Sequence, residues 1–165
     1  ALSLDLLLHG YMMSLSGIPM IYSGDEVARL NDYTYHEDPK KADDSRYIHR
    51  GPFLWEEATL RHTPGTIQQR IFEGLEKMET LRKELEVFSQ ESSLSLKETW
   101  DSSVLCLCRQ GGSQYLVSLF NFSDQPKTAW IKVEGVYQEL LTGQKQEARD
   151  VLLAPYEMKW VLRLG

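Results

Sequence analysis

Residues Ile18 to Arg50 read IPMIYSGDEVARLNDYTYHEDPKKADDSRYIHR, a stretch that gathers carboxylates, arginines, histidines and phenols directly after an apolar run. Adjacent carboxylates such as Asp25 and Glu26 are the side-chain types that general acid–base chemistry uses. Neighbours in a chain point apart, so position alone does not make them a facing pair. Arg46 offers a rigid fork of donors suited to a carboxylate or to hydroxyl groups. The alternative for Arg46 is a surface ion pair with Asp43 or Asp44. Arg50 and His49 follow at the same rim, either as ligand contacts or as loop packing. Asp32, Asp38, Asp43 and Asp44 supply oxygens of the kind a hard cation takes, but their spacing matches no standard calcium loop. Solvated loop acids are therefore expected, with no metal. No Ser/His/Asp or Cys/His arrangement stands out, and no cofactor is expected.

Such a rim needs elements to hold it. Ala1 to Ser16 is apolar on most sides (Leu2, Leu4, Leu6, Leu7, Leu8, Tyr11, Met12, Met13, Leu15), the pattern of a buried helix. Gly17 ends it, and Ile18–Ser23 reads as a short buried strand with Pro19 near its start. Asp25 to His62 then runs without periodicity, far beyond the ~12–15 residues of an ordinary loop. Its aromatics and paired charges predict an ordered loop. Thr63 is placed to cap the next helix, with Pro64 in its first turn. Ile67, Ile71, Leu75, Met78, Leu81, Leu85 and Phe88 recur at steps of three and four, which gives one apolar stripe.

After Ser89 the pattern alternates. Strands are expected at Leu94–Lys97, Val104–Cys108, Tyr115–Phe120, Trp130–Val133, Tyr137–Leu141 and Met158–Leu162, with turn residues between them. That spacing indicates an antiparallel sandwich. The fold class is thus an α+β chain in two parts, with residues 1–88 carrying helix, strand, long loop and helix, and residues 89–165 an all-β domain. The first part has the grammar of one βα repeat, which fits a (β/α)8 barrel or a doubly wound sheet.

The 165 residues carry a net charge of -6 with no basic stripe, which argues against nucleic acid. The opening apolar run is too short to span a membrane, is broken by Asp5 and His9, and has no positive leader. The chain opens in mid-run at Ala1, as if inside a larger protein. Cys106 and Cys108 are expected side by side on one strand face as small core residues. Reduced thiols fit a cytoplasmic setting, with secretion left open.

The residues Gly17-Ile-Pro-Met-Ile-Tyr-Ser-Gly-Asp-Glu resemble the eighth strand of the α-amylase superfamily, glycoside hydrolase family 13. The continuation Gly-Asp-Glu-Val, Leu-Asn-Asp-Tyr, Asp-Asp-Ser-Arg-Tyr and His-Arg resembles the amylosucrase group, which moves glucose from sucrose onto α-glucan and releases fructose. The resemblance covers essentially the whole chain and is strongest from Gly24 to Arg50. It departs at Ser23, where a bulky apolar residue is usual, and at Ala28, where Gly is usual.

The resemblance implies the last βα unit of a (β/α)8 barrel, followed by the small β domain. It implies substrate contacts at Arg46, Arg50 and His49, and loop-structuring roles for Asp25, Glu26 and Asp44. In it, Arg46 pairs with an aspartate from an early barrel loop. Tyr33, Tyr35 and Trp55 either stack on glucose rings or anchor the loop. Retaining transfer needs two carboxylates about 5 Å apart, and the superfamily places them on earlier barrel strands. No catalytic residue is therefore expected in this chain, which alone should neither cleave sucrose nor extend glucan. The implied partners are sucrose, α-glucan and the rest of the barrel. A sucrose hydrolase or another α-glucosidase of the same superfamily is the near alternative. A non-catalytic sandwich that binds glucan through Trp100, Trp130 and Trp160, or that supports the barrel, is the alternative of another class.

Overall fold

A computed structural model describes residues 1–131, 133, 135–147 and 149–164, with only the backbone of Gln146 and Glu147. It contains three α-helices, α1 (Leu2–Ser14), α2 (Trp55–Thr59) and α3 (Ile67–Glu84), with short 3-10 turns between and after them. Eight strands follow: β1 (Ser93–Lys97), β2 (Val104–Gly111), β3 (Gln114–Asn121), β4 (Lys127–Trp130), β5 (Val136–Glu139), β6 (Lys145–Glu147), β7 (Asp150–Leu153) and β8 (Met158–Arg163). No helix among the described residues is long and apolar enough to cross a membrane.

The chain divides into two compact units, Ala1–Pro19 with Gly74–Gly165, and Met20–Glu73. This cut does not follow the 88/89 boundary read from the sequence. Helix α1 and the second half of α3 belong with the strands: Tyr11 packs on Phe120, Ser14 accepts from Trp160, and Lys77 donates to the Leu141 carbonyl.

In the strand-bearing unit, six strands form one antiparallel sheet in the order β1-β2-β3-β8-β5-β6. β4 and β7 form a second, two-stranded antiparallel sheet. The core between the sheets takes Cys106, Val117, Leu119 and Val161 from the large sheet and Ala129, Val151 and Leu153 from the small one. These residues alternate along their strands, as a face buried on one side requires. Cys106 and Cys108 are free thiols with Sγ atoms 4.0 Å apart, as their spacing predicts. The neighbouring Cys108 thiol and burial push the Cys106 thiol up.

The other face of the large sheet packs on helix. Tyr11 of α1 sets its ring edge-on to Phe120, with centroids 5.7 Å apart, and Phe88 lies 4.9 Å from Trp160. The Trp160 indole is fully buried, and its Nε1–H donates to Ser14 Oγ at 2.8 Å. That bond satisfies the one polar group a buried indole carries. Two arginines close the C-terminal end of α1. Arg109, 1% exposed, donates to the carbonyls of Ser14 (3.2 Å), Val87 (2.9 Å) and Ser89 (3.0 Å). Arg82 donates to the carbonyls of Met13 and of Gly17, the latter at 2.6 Å. The last carbonyls of a helix lack intrahelical partners and carry partial negative charge, so two guanidinium groups complete the end.

Three expectations need correction. Ile18–Ser23 forms no strand, and Ile18 and Met20 are 82% and 84% exposed. A strand needs a ladder partner, and no described residue provides one here. The cap of α3 is Thr66, not Thr63. Thr66 Oγ1 accepts the Gln69 amide at 3.1 Å, while Gln69 Oε1 accepts the Gly65 amide at 3.1 Å. This is the reciprocal capping pattern, legible as Thr-Ile-Gln-Gln, and Pro64-Gly65 forms the turn before it. β4 runs over Lys127–Trp130, earlier than expected; the expected strand Trp130–Val133 shares Trp130 with it and includes Lys132, which lies outside the described residues. β6 and β7 had no expected counterpart. β6 is a polar three-residue edge, and β7 shows only two inward residues, too few to display an alternation.

Candidate functional site

The long segment after Gly24 folds as a chain of one-turn elements. The 3-10 turns Asp25–Val27, Thr34–Glu37 and Ser45–Ile48 precede α2. Three aspartates of this segment, Asp32, Asp38 and Asp44, each accept the amide hydrogen two residues on, the local bond that Asp favours over helix or strand. Asp32 Oδ1 accepts from Thr34 N–H (2.9 Å) and Thr34 Oγ (2.6 Å). Asp38 Oδ1 accepts from Lys40 N–H at 3.0 Å, and its Oδ2 pairs with Lys41 Nζ at 3.1 Å. Asp44 Oδ1 accepts from Arg46 N–H at 3.0 Å. The loop acids are thus satisfied by their own loop. Among the described residues no three His, Cys, Asp or Glu side chains group as a metal site.

The fold brings part of the expected set around one cleft of about 410 Å³, lined by Asp32, Tyr35, Asp38, Lys41, Tyr47 and Arg50 among others. Tyr35 is buried beneath it, with its ring 4.0 Å from that of His36. Lys41 Nζ lies 5.7 Å from the centre of the Tyr47 ring, within cation–π range. Thr34 bonds hold Asp32 below the usual carboxylate range, and the Lys40 amide does the same for Asp38. Both acids are therefore ionised acceptors at neutral pH, and neither is poised as an acid. Arg50 lines the cleft, and its guanidinium makes no hydrogen bond or ion pair among the described residues.

Arg46 and His49 stand elsewhere. Arg46 is exposed and grips Asp44 with both arms of its fork, Nε–Oδ1 2.8 Å and Nη2–Oδ2 2.7 Å. These bonds draw the Asp44 carboxyl down to about 2. His49 has an exposed side chain, and its carbonyl accepts the Tyr22 hydroxyl at 2.9 Å. Asp25 and Glu26 are half-buried in the first turn, on the loop's opening element and not in the cleft. Of the aromatics, Trp55 and Tyr33 are exposed while Tyr35 is buried. In the strand-bearing unit Trp100 and Trp130 are exposed and Trp160 is core.

Arg29 escaped the reading from sequence. Its Nη1 donates to the Gly51 carbonyl at 2.7 Å, across 22 positions. The one signal for it was the residue before it. Ala28 stands where the resemblance has glycine, and it adopts left-handed backbone, φ 55 and ψ 38.

With this geometry in hand, known proteins fall into line with the fold. The family described as beta-galactosidase C-terminal domain matches residues 104–163, the span from β2 to β8. Glucosylglycerate phosphorylase of Escherichia coli (strain K12) is 25% identical over 94% of this chain, which spans 27% of that protein. The structure of AmyP E221Q with maltotriose superposes with a TM-score of 0.79 at 16% identity, over 98% of this chain and 34% of that one. Trehalose-6-phosphate hydrolase of Bacillus licheniformis gives 0.72 at 18% identity, over 98% and 39%. The chain therefore has the fold of the C-terminal β-sandwich, with its adjoining helices, of α-amylase-family enzymes.

Proposed function

We propose that this chain is the C-terminal portion of a longer α-amylase-superfamily enzyme that transfers glucose from sucrose to an α-glucan and releases fructose. The observation that carries the reading is the Gly24–Arg50 segment, whose Gly-Asp-Glu-Val, Leu-Asn-Asp-Tyr and Asp-Asp-Ser-Arg-Tyr motifs resemble the amylosucrase group and which lends Asp32, Tyr47 and Arg50 to one cleft. The chain's part in such a reaction is binding and orientation. A sugar is a neutral polyol, and the cleft offers ionised acceptors at Asp32 and Asp38, a phenol at Tyr47 and an uncommitted guanidinium at Arg50. Hydrogen bonds to charged groups are the stronger kind, worth about 1.5–3 kcal/mol each. Arg46 commits Nε and Nη2 to Asp44, and in this reading its Nη1 serves a neighbouring loop at the rim.

The relative's name, glucosylglycerate phosphorylase, supports a glucosyl-bond enzyme and raises phosphate as a rival acceptor. The longer protein, incubated with sucrose, is expected to release fructose and lengthen glucan without added phosphate. Turnover that requires phosphate and yields a glucose phosphate, or no fructose at all, would replace this reading.

A further inference from the structure

The backbone on either side of Arg50 is gripped at three successive points by one short segment, residues 22–32. The Ile48 carbonyl accepts the Asp32 amide at 2.8 Å, the His49 carbonyl accepts the Tyr22 hydroxyl at 2.9 Å, and the Gly51 carbonyl accepts Arg29 Nη1 at 2.7 Å. Arg50 is the residue flanked by these contacts, and it lines the cleft with its guanidinium in no hydrogen bond or ion pair among the described residues. Of the three, only the Arg29 bond lies on the C-terminal side of Arg50, so it closes the clamp.

Space is reserved for Arg29. At Gly24 a side-chain carbon would lie 3.2 Å from Arg29 Cδ, and at Gly51 it would collide with the Arg29 guanidinium and with Asp32 Oδ2. Two glycines thus sandwich the arginine. The residue that aims it, Ala28, holds a left-handed conformation that a side chain disfavours. Strain of this kind persists where the surroundings over-determine it, and here the Arg29 amide bonds back to the Gly24 carbonyl at 3.0 Å.

We infer that Arg29 is a positioning residue for Arg50: it fixes the backbone at Gly51, so that the Arg50 guanidinium is presented to the cleft ready for a sugar ligand. What Arg50 contacts rests on the proposed sucrose reaction; the clamp itself does not. Preorganisation of this kind lowers the ordering cost at binding and acts on the ligand and the transition state alike.

Two arms test it. In the longer protein, Arg29→Ala is expected to raise KM for sucrose about tenfold with kcat nearly unchanged, and to add less than about twofold in an Arg50→Ala background. Arg29→Lys, which keeps one donor, recovers part of the loss. In the 165-residue chain, Arg29→Ala is expected to speed exchange of the Asp32 amide at least about tenfold, while Arg50→Ala leaves it unchanged. An equal effect of Arg29→Ala with and without Arg50, or an unaltered Asp32 amide, would overturn the positioning role. If the unaltered protein ignores sucrose, the proposed reaction fails while the exchange arm still judges the clamp.

Discussion

In the strand-bearing unit Trp160, Phe120 and Leu119 are fully buried, and the backbone is paired in continuous ladders. In the loop unit Trp55, Tyr33 and Leu30 lie 74%, 61% and 86% exposed, and between short helical turns the backbone is tied by single side-chain and main-chain bonds, with no ladder among the described residues. Of the buried apolar residues only Val27, Tyr35, Ala58 and Ile71 belong to the loop unit. A ladder over a core spreads its stability across many residues, so no one bond decides the geometry. A loop held by discrete bonds has a shape set residue by residue, which suits a site but leaves it open to local unfolding.

The sharpest way to break this comparison is to empty a buried site in each unit. Trp160→Ala removes a core indole and its bond to Ser14 Oγ, which keeps its own bond to the Gly10 carbonyl, and is expected to cost about 3–5 kcal/mol of global stability in urea melts. Tyr35→Ala, made at the best-buried phenol of the loop unit, is expected to leave that urea midpoint nearly unchanged and to alter only probes within residues 20–73. A comparable fall in both variants would show a single cooperative unit.

A finer test uses two aspartates that make the same kind of turn. Asp101 Oδ1 accepts the Ser103 hydroxyl at 2.6 Å and amide at 2.9 Å, and its Oδ2 reaches Lys127 of β4 at 3.1 Å. The Ser103 hydroxyl first, then its amide and Lys127, lower the Asp101 pKa to about 2 from an ordinary 3.8. A depressed carboxylate contributes stability that is complete above its unfolded value and is lost as pH falls through the folded one. The Asp101→Asn variant should therefore melt earlier than the parent chain above pH 4, and the gap should narrow as pH falls from 4 through about 2. Asp44 has the same depressed value but owes it to its own loop, first to Arg46 two residues away and least to the charge of Arg50. Asp44→Asn should leave the melt of the strands unaltered at any pH.

Much of the strand-bearing unit was legible because periodicity reports burial. The α3 stripe holds at Ile71, Leu75 and Met78, while Ile67 is exposed and Leu85 and Phe88 lie past the helix end; β2 and β3 cover the expected runs but are buried on both faces, and Cys106 and Cys108 share a face. Short strands such as β7 hold two inward residues apiece, and a pattern that brief does not separate from loop. Arg109 was hidden for a different reason. A charged residue inside a strand reads as solvent-facing, and only the approach of Ser14, Val87 and Ser89 shows that carbonyls surround it. In the loop unit the motif located the rim, yet the partner of each residue depended on contacts across many positions. Arg46 found Asp44 nearby, as one of its two readings allowed, whereas Arg29 and Tyr22 met residues 22 and 27 positions on. The expected strand Ile18–Ser23 failed for lack of a neighbour, a condition no local pattern can encode.

Residue-resolved native-state hydrogen exchange on the 165-residue chain tests the division of labour most directly. Amides of Leu119 and Val161 are expected to exchange only through global unfolding, while those of Asp32 and Arg50 exchange through local opening several kcal/mol below it, about 10³-fold faster or more. Uniform protection across both units, with Ile18–Ser23 as slow as β3, would contradict the account.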